Sequence, residues 1–353
     1  EMLHGKNMVA WYFLWPMVRD VRVRDRKNAW PGVVREEDFF AFCQRMERIP
    51  IRTGWPHEST LYRSLCGKLW IPQMSLFETY RVPPTTRLHY AEFRCNATGA
   101  ALRAFHSLMK LRERVWGKPP ACIEEFKGVV KLGFSWCGSD VLPFQGLDSL
   151  VAAIGNLFEQ PRCQQTVCLV QERVAGVVGE HRVLCFHDKH GNCIRKEPLW
   201  MFNVPQADSP VAQIEALRAP TRTGPREEEF QVASSAVAPS KDVIKKLFLG
   251  DQQAFHAAEA EASRIIDQWM LWFKAESTEL PQVTRIDFLV SHVGPGQVSV
   301  WTCEVGECGA SLCAVEVHGR NMASLNSAII TDASGRFPAA LPRHLPRNNG
   351  WKS

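Results

Sequence analysis

Two β-rich runs separated by a short turn set the strongest limit on how this chain folds. Thr284-Arg285-Ile286-Asp287-Phe288-Leu289-Val290 ends in a β-rich apolar segment, and Gly294-Pro295-Gly296 marks a turn. A second β-rich run then reaches Trp301-Thr302-Cys303-Glu304-Val305-Gly306-Glu307. The pattern is a hairpin with Asp287 on one strand and Glu304 near the end of the other. Two carboxylates on adjacent strands can converge on a hard cation, and Mg²⁺ is usually held by one or two carboxylates together with substrate phosphates. The plain alternative is a hairpin whose acids face water.

The 353 residues allow two or three domains or subdomains and a sizeable core. With 45% hydrophobic and 22% charged residues, the composition is that of an ordinary globular protein. The net charge of +5 is a weak hint of anionic partners. No Lys/Arg tract interleaved with aromatics gives ground for nucleic-acid binding. The 12 cysteines fit no common zinc module, since no CxxC pair is present. Cys168, Cys185 and Cys303 lie in apolar strand-like runs, where free buried thiols are the default. A reducing, cytoplasmic setting is therefore expected. No run of about 18 apolar residues is present to span a membrane. The first residue is Glu1, which leaves open a processed product or a piece of a longer protein, and an oligomer also remains open.

Helical spacing is clear over Glu36–Arg48, from Ser59 to about Trp70, from near Thr98 to Trp116, over Leu147–Phe158, and over Ser240–Phe248 and Gln252–Lys274. Cys122–Val141 reads as strand-like around a glycine-containing loop. Val167–Glu172, His181–His187 and Cys193–Phe202 read as strands. Residues 205–240 read as a long loop, and the last twenty as a tail.

Three further pieces carry chemistry. A strand delivers Lys131 ahead of a loop with Gly133, Ser135, Gly138 and Ser139. Small residues let backbone N–H groups approach phosphate oxygens, and a lysine adds a point charge. The lysine precedes the glycines, so this is no Walker A loop. A surface hairpin with an incidental lysine is the plain alternative. Next, Cys168 to Gly176 runs from a strand into a short extended linker, followed by Glu180, His181 and Arg182. Backbone groups of such a linker can pair with an adenine edge, and the acid beyond it can accept from ribose hydroxyls. An ordinary strand–turn–strand with a Glu180–Arg182 ion pair would look the same. Last, Lys68 precedes Val82-Pro83-Pro84-Thr85.

Taken in order, over roughly Leu61 to Leu312, these pieces resemble the ATP-grasp superfamily of ATP-dependent carboxylate–amine ligases. Lys68 and Val82-Pro83-Pro84-Thr85 match that family's first lysine and the strand after it. Lys131 and Phe134 to Val141 match its second lysine and phosphate-covering loop. Gln171, Glu172 and Val174 match its adenine linker, and Glu180 its ribose-binding acid. Arg285-Ile286-Asp287 and Glu304-Val305-Gly306 match its metal-binding strands. One position departs: Gly306 stands where the family has a metal-binding Asn. Glu307, or Ser311 through water, could supply the missing oxygen.

The resemblance implies an α+β (α/β) chain with the ATP-grasp fold, its nucleotide held between two α+β subdomains. The expected division is a pre-grasp region over 1–65, a lid-bearing half over 66–170, a metal-bearing half over 171–330 and a tail over 331–353. It also implies ATP and Mg²⁺ as cofactors and a small carboxylate or peptide as substrate. Lys68, Lys131, Ser135, Gly138, Ser139, Gln171, Glu172, Val174 and Glu180 would bind nucleotide. Asp287, Glu304 and Glu307 would hold metal, and Arg285 and Arg182 would act in catalysis. A nucleotide-binding or structural subunit of the same fold, weakened in catalysis, is the alternative.

Overall fold

The computed structural model describes residues 9–10, 36–48, 52–53, 59–66, 68, 70–133, 141–159, 167–187, 193–201, 240–276 and 283–306. In chain order the elements are β1 (Val9–Ala10), α1 (Glu36–Glu47), β2 (Arg52–Thr53), α2 (Ser59–Cys66), α3 (Trp70–Met74), β3 (Thr85–His89), α4 (Tyr90–Cys95) and α5 (Ala97–Trp116). They continue with β4 (Lys127–Leu132), β5 (Val141–Gln145), α6 (Gly146–Phe158), β6 (Val167–Glu172), β7 (Val177–His187) and β8 (Cys193–Met201). The last four are α7 (Ser240–Leu247), α8 (Gln252–Glu276), β9 (Val283–Gly294) and β10 (Gln297–Gly306).

The fold is α+β and rests on two four-stranded antiparallel sheets. One has the order β3-β6-β4-β5 and the other β10-β9-β7-β8. Strand side chains alternate between faces, and each sheet buries one face under helices. Leu88, Val130, Leu132, Cys168 and Val170 of the first sheet pack with Ala101, Phe105 and Leu108 of α5 and Leu150, Ile154 and Leu157 of α6. Val183, Cys185, Ile286, Phe288, Val290, Val300 and Val305 of the second pack with Phe255, Ile265, Ile266, Trp269 and Phe273 of α8. Trp70, Ile71 and Val82 also enter this second core, although they precede the first sheet in sequence.

The long helices have definite ends. Asn96 is extended, and its side chain accepts from the Gly99 N–H at 2.8 Å, so α5 begins one residue ahead of Thr98. Gly117, left-handed at φ 60°, closes that helix. Asp251 starts α8 by accepting from the Ala254 N–H at 2.9 Å. It also accepts from Gly296 in the β9–β10 turn at 2.7 Å and lies 3.1 Å from His292 Nε2. Asp251 thus ties the hairpin to the helix beneath it.

Several expectations change. The helix predicted from Ser59 to about Trp70 is two helices, because Lys68 sits at φ 52° between them. Cys122–Val141 is not strand throughout: a turn leads to β4, which begins at Lys127. The strand expected at His181 begins at Val177. β6 and β7 do not pair with each other, so residues 173–176 cross from one sheet to the other. The spacing from Asp287 to Glu304 suggests a long turn, yet Pro295 and Gly296 alone join β9 to β10, and the extra length lies in the strands. Gly296 takes φ 68°, a conformation that glycine adopts at no steric cost. Cys168 and Cys185 are buried, Cys303 is half-buried, and none of the three is in a disulfide. Among the described residues, no helix is long and apolar enough to cross a membrane. The 205–239 loop and the tail lie outside the described residues.

Candidate functional site

The faces of the two sheets that the helices leave uncovered carry the candidate residues. On the first sheet, β4 and β6 turn Val130, Leu132, Cys168 and Val170 toward the helices. Alternation therefore places Val129, Lys131, Leu169 and Gln171 on the other face, and Lys131 lies beside Leu169 in register. Lys131 is buried. Gln171 is held in place, donating from Nε2 to Thr85 Oγ1 at 2.7 Å, and Thr85 in turn donates to the Pro83 carbonyl at 2.7 Å. The Val82-Pro83-Pro84-Thr85 segment and the expected adenine linker are thus joined side by side.

On the second sheet, Arg182, Asp287 and Glu304 lie opposite one another on three adjacent strands. One step along, Leu184, Arg285 and Gly306 form the next row. This arrangement depends on a β-bulge between Thr302 and Glu304. Without it, Cys303 would face Asp287 and Glu304 would turn toward the helix-covered core. The bulge absorbs one residue, keeps Val305 in the core and puts Glu304 on the face of Asp287.

These side chains form a continuous charge network. Arg182 grips Asp287 with two hydrogen bonds, Nε to Oδ1 and Nη2 to Oδ2, both 2.9 Å, and reaches Glu180 at 3.4 Å. Arg285 Nη2 lies 2.9 Å from Asp287 Oδ2 and 2.5 Å from Glu304 Oε2. Asp287 and Arg285 are almost wholly buried, their side chains 2% and 4% exposed.

Two lysines complete the site. Burial would push the Glu304 carboxyl up, but Arg285, Lys68, Arg182 and Lys131 together hold it below the usual carboxylate range. Lys131 comes from the first sheet, Lys68 from the break between α2 and α3, and Arg182 and Arg285 from the second sheet, so elements far apart in sequence bring positive charge to one carboxylate. Burial and the neighbouring Asp287 raise Glu180 to about 8, against the pull of Arg182 and Arg285. Burial likewise raises the Cys303 thiol to about 12, against the pull of Lys131.

The expected site residues thus divide into three groups. Lys68, Lys131, Glu180, Arg182, Arg285, Asp287 and Glu304 come together, and Gln171 lies on the uncovered face. Glu172 does not: alternation turns it toward α5, where Oε1 accepts from Arg112 at 3.2 Å and Lys118 at 3.3 Å. These ion pairs engage Oε1 on the helix-covered side of the sheet, and Val174 lies in the 173–176 segment that crosses between the sheets. Ser135, Gly138, Ser139, Glu307 and Ser311 lie outside the described residues. The bulge at Cys303 is absent from the expectations, although the sequence carries a signal for it. Val298 and Val300 share one phase of the alternation and Val305 has the other, which implies an extra residue between them.

The Mg²⁺ site implied for Asp287 and Glu304 is not supported by their geometry. Both oxygens of Asp287 are taken by guanidinium donors, and Glu304 Oε2 is taken by Arg285. Gly306 offers no donor. A Cβ placed there would stand 3.2 Å from Arg285 Nε and 3.3 Å from its Cζ, so the guanidinium fills the space over this glycine. Among the described residues, no group of three or more His, Cys, Asp or Glu side chains is placed to hold a metal ion.

No family model matches the sequence, and no curated protein matches it. Solved structures do resemble the fold. D-cycloserine synthetase DcsG is 16% identical, with a TM-score of 0.46 over 84% of this chain and 79% of that one. D-alanyl-alanine synthetase A from Vibrio cholerae O1 is 15% identical, with a TM-score of 0.47 over 87% and 73%. D-alanine-D-alanine ligase from Coxiella burnetii is 10% identical, with a TM-score of 0.45 over 85% and 65%. These likenesses lie in the general course of the chain alone. Overlaps of this extent say nothing finer, and the chemistry of the site rests on this chain's own residues.

Proposed function

We propose that the chain is an ATP-dependent ligase of the carboxylate–amine type, with its nucleotide between a lid-bearing half over 66–170 and a second half over 171–330. One observation supports this reading: Arg182 and Arg285 converge on Asp287 and Glu304, and Lys68 and Lys131 of the first half help hold the Glu304 carboxyl below its usual range. Four cations around one edge suit a triphosphate, whose charge needs fixed positive partners.

In this reading the adenine lies along the linker after Gln171, and Glu180 meets the ribose. Lys68 and Lys131 hold phosphate oxygens. A substrate carboxylate attacks the γ-phosphorus, the bond to the β-γ bridging oxygen breaks, and ADP leaves. An amine then displaces phosphate from the acyl phosphate, losing a proton to solvent. Arg285 and Arg182 stabilise charge on the phosphoryl oxygens as it shifts. Phosphoryl transfer of this kind depends mostly on positioning and charge neutralisation, which these residues provide.

Thermal unfolding with millimolar ATP, paired with an assay for ADP and phosphate across carboxylate and amine substrates, tests the reading. A rise in Tm with ATP and substrate-dependent ADP formation are expected, since a ligand that binds only the folded state stabilises it. No shift with ATP would sink it. The Arg182–Asp287–Arg285–Glu304 network favours a second reading, a nucleotide-binding subunit without turnover. ATP binding with no ADP formed from any substrate pair would select that one.

A further inference from the structure

We infer that this site takes its polyphosphate without a divalent cation, with the Arg285 guanidinium in the space beside Gly306 that a metal-binding side chain would need. The inference rests on the nucleotide reading for the identity of the anion, but not for its charge.

Three observations carry it. First, both oxygens of Asp287 are engaged: Arg182 holds each at 2.9 Å and Arg285 adds a third contact at 2.9 Å on Oδ2. A cation entering here would have to displace buried, bidentate guanidinium bonds, which are among the strongest side-chain contacts. Second, Arg285 also holds Glu304 at 2.5 Å, so one guanidinium bridges the two carboxylates that a metal would bridge. Its position over Gly306 crowds any side chain there, because a Cβ would sit 3.2 Å from Nε and the guanidinium would have to shift to admit it. Glycine at this position and the placement of Arg285 are therefore one feature. Third, the local charge is already positive. Lys68, Lys131, Arg182 and Arg285 outnumber Glu180, Asp287 and Glu304 even with all three acids ionised.

A surplus of fixed cations has a consequence that a metal site does not share. Mg²⁺ bound to ATP removes two negative charges from the ligand. A carboxylate-rich site gains from that neutralisation, whereas a cationic site loses attraction. Metal-free ATP should therefore bind at least as tightly as its Mg²⁺ complex, and salt should weaken both.

Calorimetric titration of the full chain tests this, using ATP in EDTA, ATP in excess Mg²⁺, and inorganic tripolyphosphate in EDTA. The expected result is ATP binding in EDTA with a Kd within about threefold of the Mg²⁺ value or tighter, with tripolyphosphate competing for the site. Binding of ATP only with Mg²⁺, or binding tightened about tenfold or more by it, overturns the inference and leaves the nucleotide reading standing. Tripolyphosphate binding in EDTA without ATP binding overturns the nucleotide reading and supports the cationic site. No binding of either anion in any arm overturns both. Mn²⁺ titration followed by electron paramagnetic resonance gives an independent measure. The unmodified protein should hold no Mn²⁺ at this site, and the double variant Arg182→Ala with Arg285→Ala, which frees both Asp287 and Glu304, should gain it. Saturable Mn²⁺ binding by the unmodified protein that Asp287→Asn abolishes would overturn the inference without any variant at Arg285.

Discussion

Replacing Arg182 with leucine should destabilise the protein by about 3 kcal/mol, the lower end of the range for breaking a buried ion pair. The figure follows from what the change leaves behind. Asp287 is 2% exposed and Arg182 12%, so solvent screens their pair poorly. Loss of Arg182 removes both of its 2.9 Å hydrogen bonds and strips Oδ1 of its partner. Arg285 still reaches Oδ2 at 2.9 Å, which keeps the cost from the upper end of the range. Taking away the carboxylate as well should recover much of the loss, because a buried charge pair exchanged for apolar side chains is often close to neutral. Denaturant unfolding of Arg182→Leu, Asp287→Leu and the double variant closes the cycle, and a coupling energy on the order of 1–3 kcal/mol is expected for residues in one network. A single-variant loss below about 0.5 kcal/mol, the level of an exposed pair, would refute the reasoning. So would additivity of the two changes, since it would mean that Arg182 and Asp287 do not sense each other.

Lys131→Met should weaken ATP binding by about 1.5–3 kcal/mol, the range for a lost charged hydrogen bond, with little change in Tm, and unchanged affinity by calorimetry would remove Lys131 from the phosphate site. Gly128→Ala should cost about 1–3 kcal/mol by overpacking, because the new Cβ would collide with the Phe144 ring and stand 2.8 Å from the Gln171 carbonyl of the neighbouring strand; an unchanged denaturation midpoint would contradict that close approach. His181 should make the fold acid-sensitive. Burial under Trp200, with ring centroids 4.2 Å apart, lowers its pKa from 6.5 to about 3, although a hydrogen bond to the Leu199 backbone opposes the shift. The native state keeps His181 neutral while the unfolded chain binds a proton below pH 6.5. The stabilisation is therefore fully present above pH 6.5 and is lost as pH falls toward 3, on the order of several kcal/mol. His181→Phe should flatten that part of the stability–pH curve, and an equally steep curve in the variant would show that His181 is not its source.

Legibility in the sequence followed the range over which each feature is decided. Helix α8 was readable almost to its ends because its buried residues, Phe255, Ala258, Ala262, Ile265, Ile266, Trp269 and Phe273, recur at helical spacing and are fixed by local geometry. The hairpin strands were readable for a similar reason, since their pattern is also local. The break at Lys68 was not, since a lysine carries no local mark of a left-handed backbone. Nor was the assignment of β6 and β7 to different sheets, because residues 173–176 look the same whether the chain turns back on itself or crosses over. Glu172 shows the limit most clearly. Its place at the end of β6 is legible, but its orientation follows from strand phase and from the presence of Arg112, 60 residues away, on the helix behind.

The same reasoning explains why the acids of the hairpin are legible in the sequence and their arginine partners are not. Asp287 and Glu304 advertise a cation site only while their partners are unknown. The register that sets Arg182 opposite Asp287 belongs to β7, more than a hundred residues upstream, and no pattern within β9 or β10 encodes it. The bulge at Cys303 then decides whether Glu304 joins the network or turns into the core. Gly306, which looks like a missing ligand when the motif is read alone, becomes intelligible once Arg285 is seen lying over it. A side chain at 306 and a guanidinium bridging Asp287 and Glu304 compete for one space. This predicts that Gly306→Asn alone should destabilise the network, whereas Gly306→Asn combined with Arg285→Ala should be tolerated better than the sum of the two changes. Denaturant unfolding of the three variants measures that coupling, and strict additivity would show that the glycine and the arginine are independent after all.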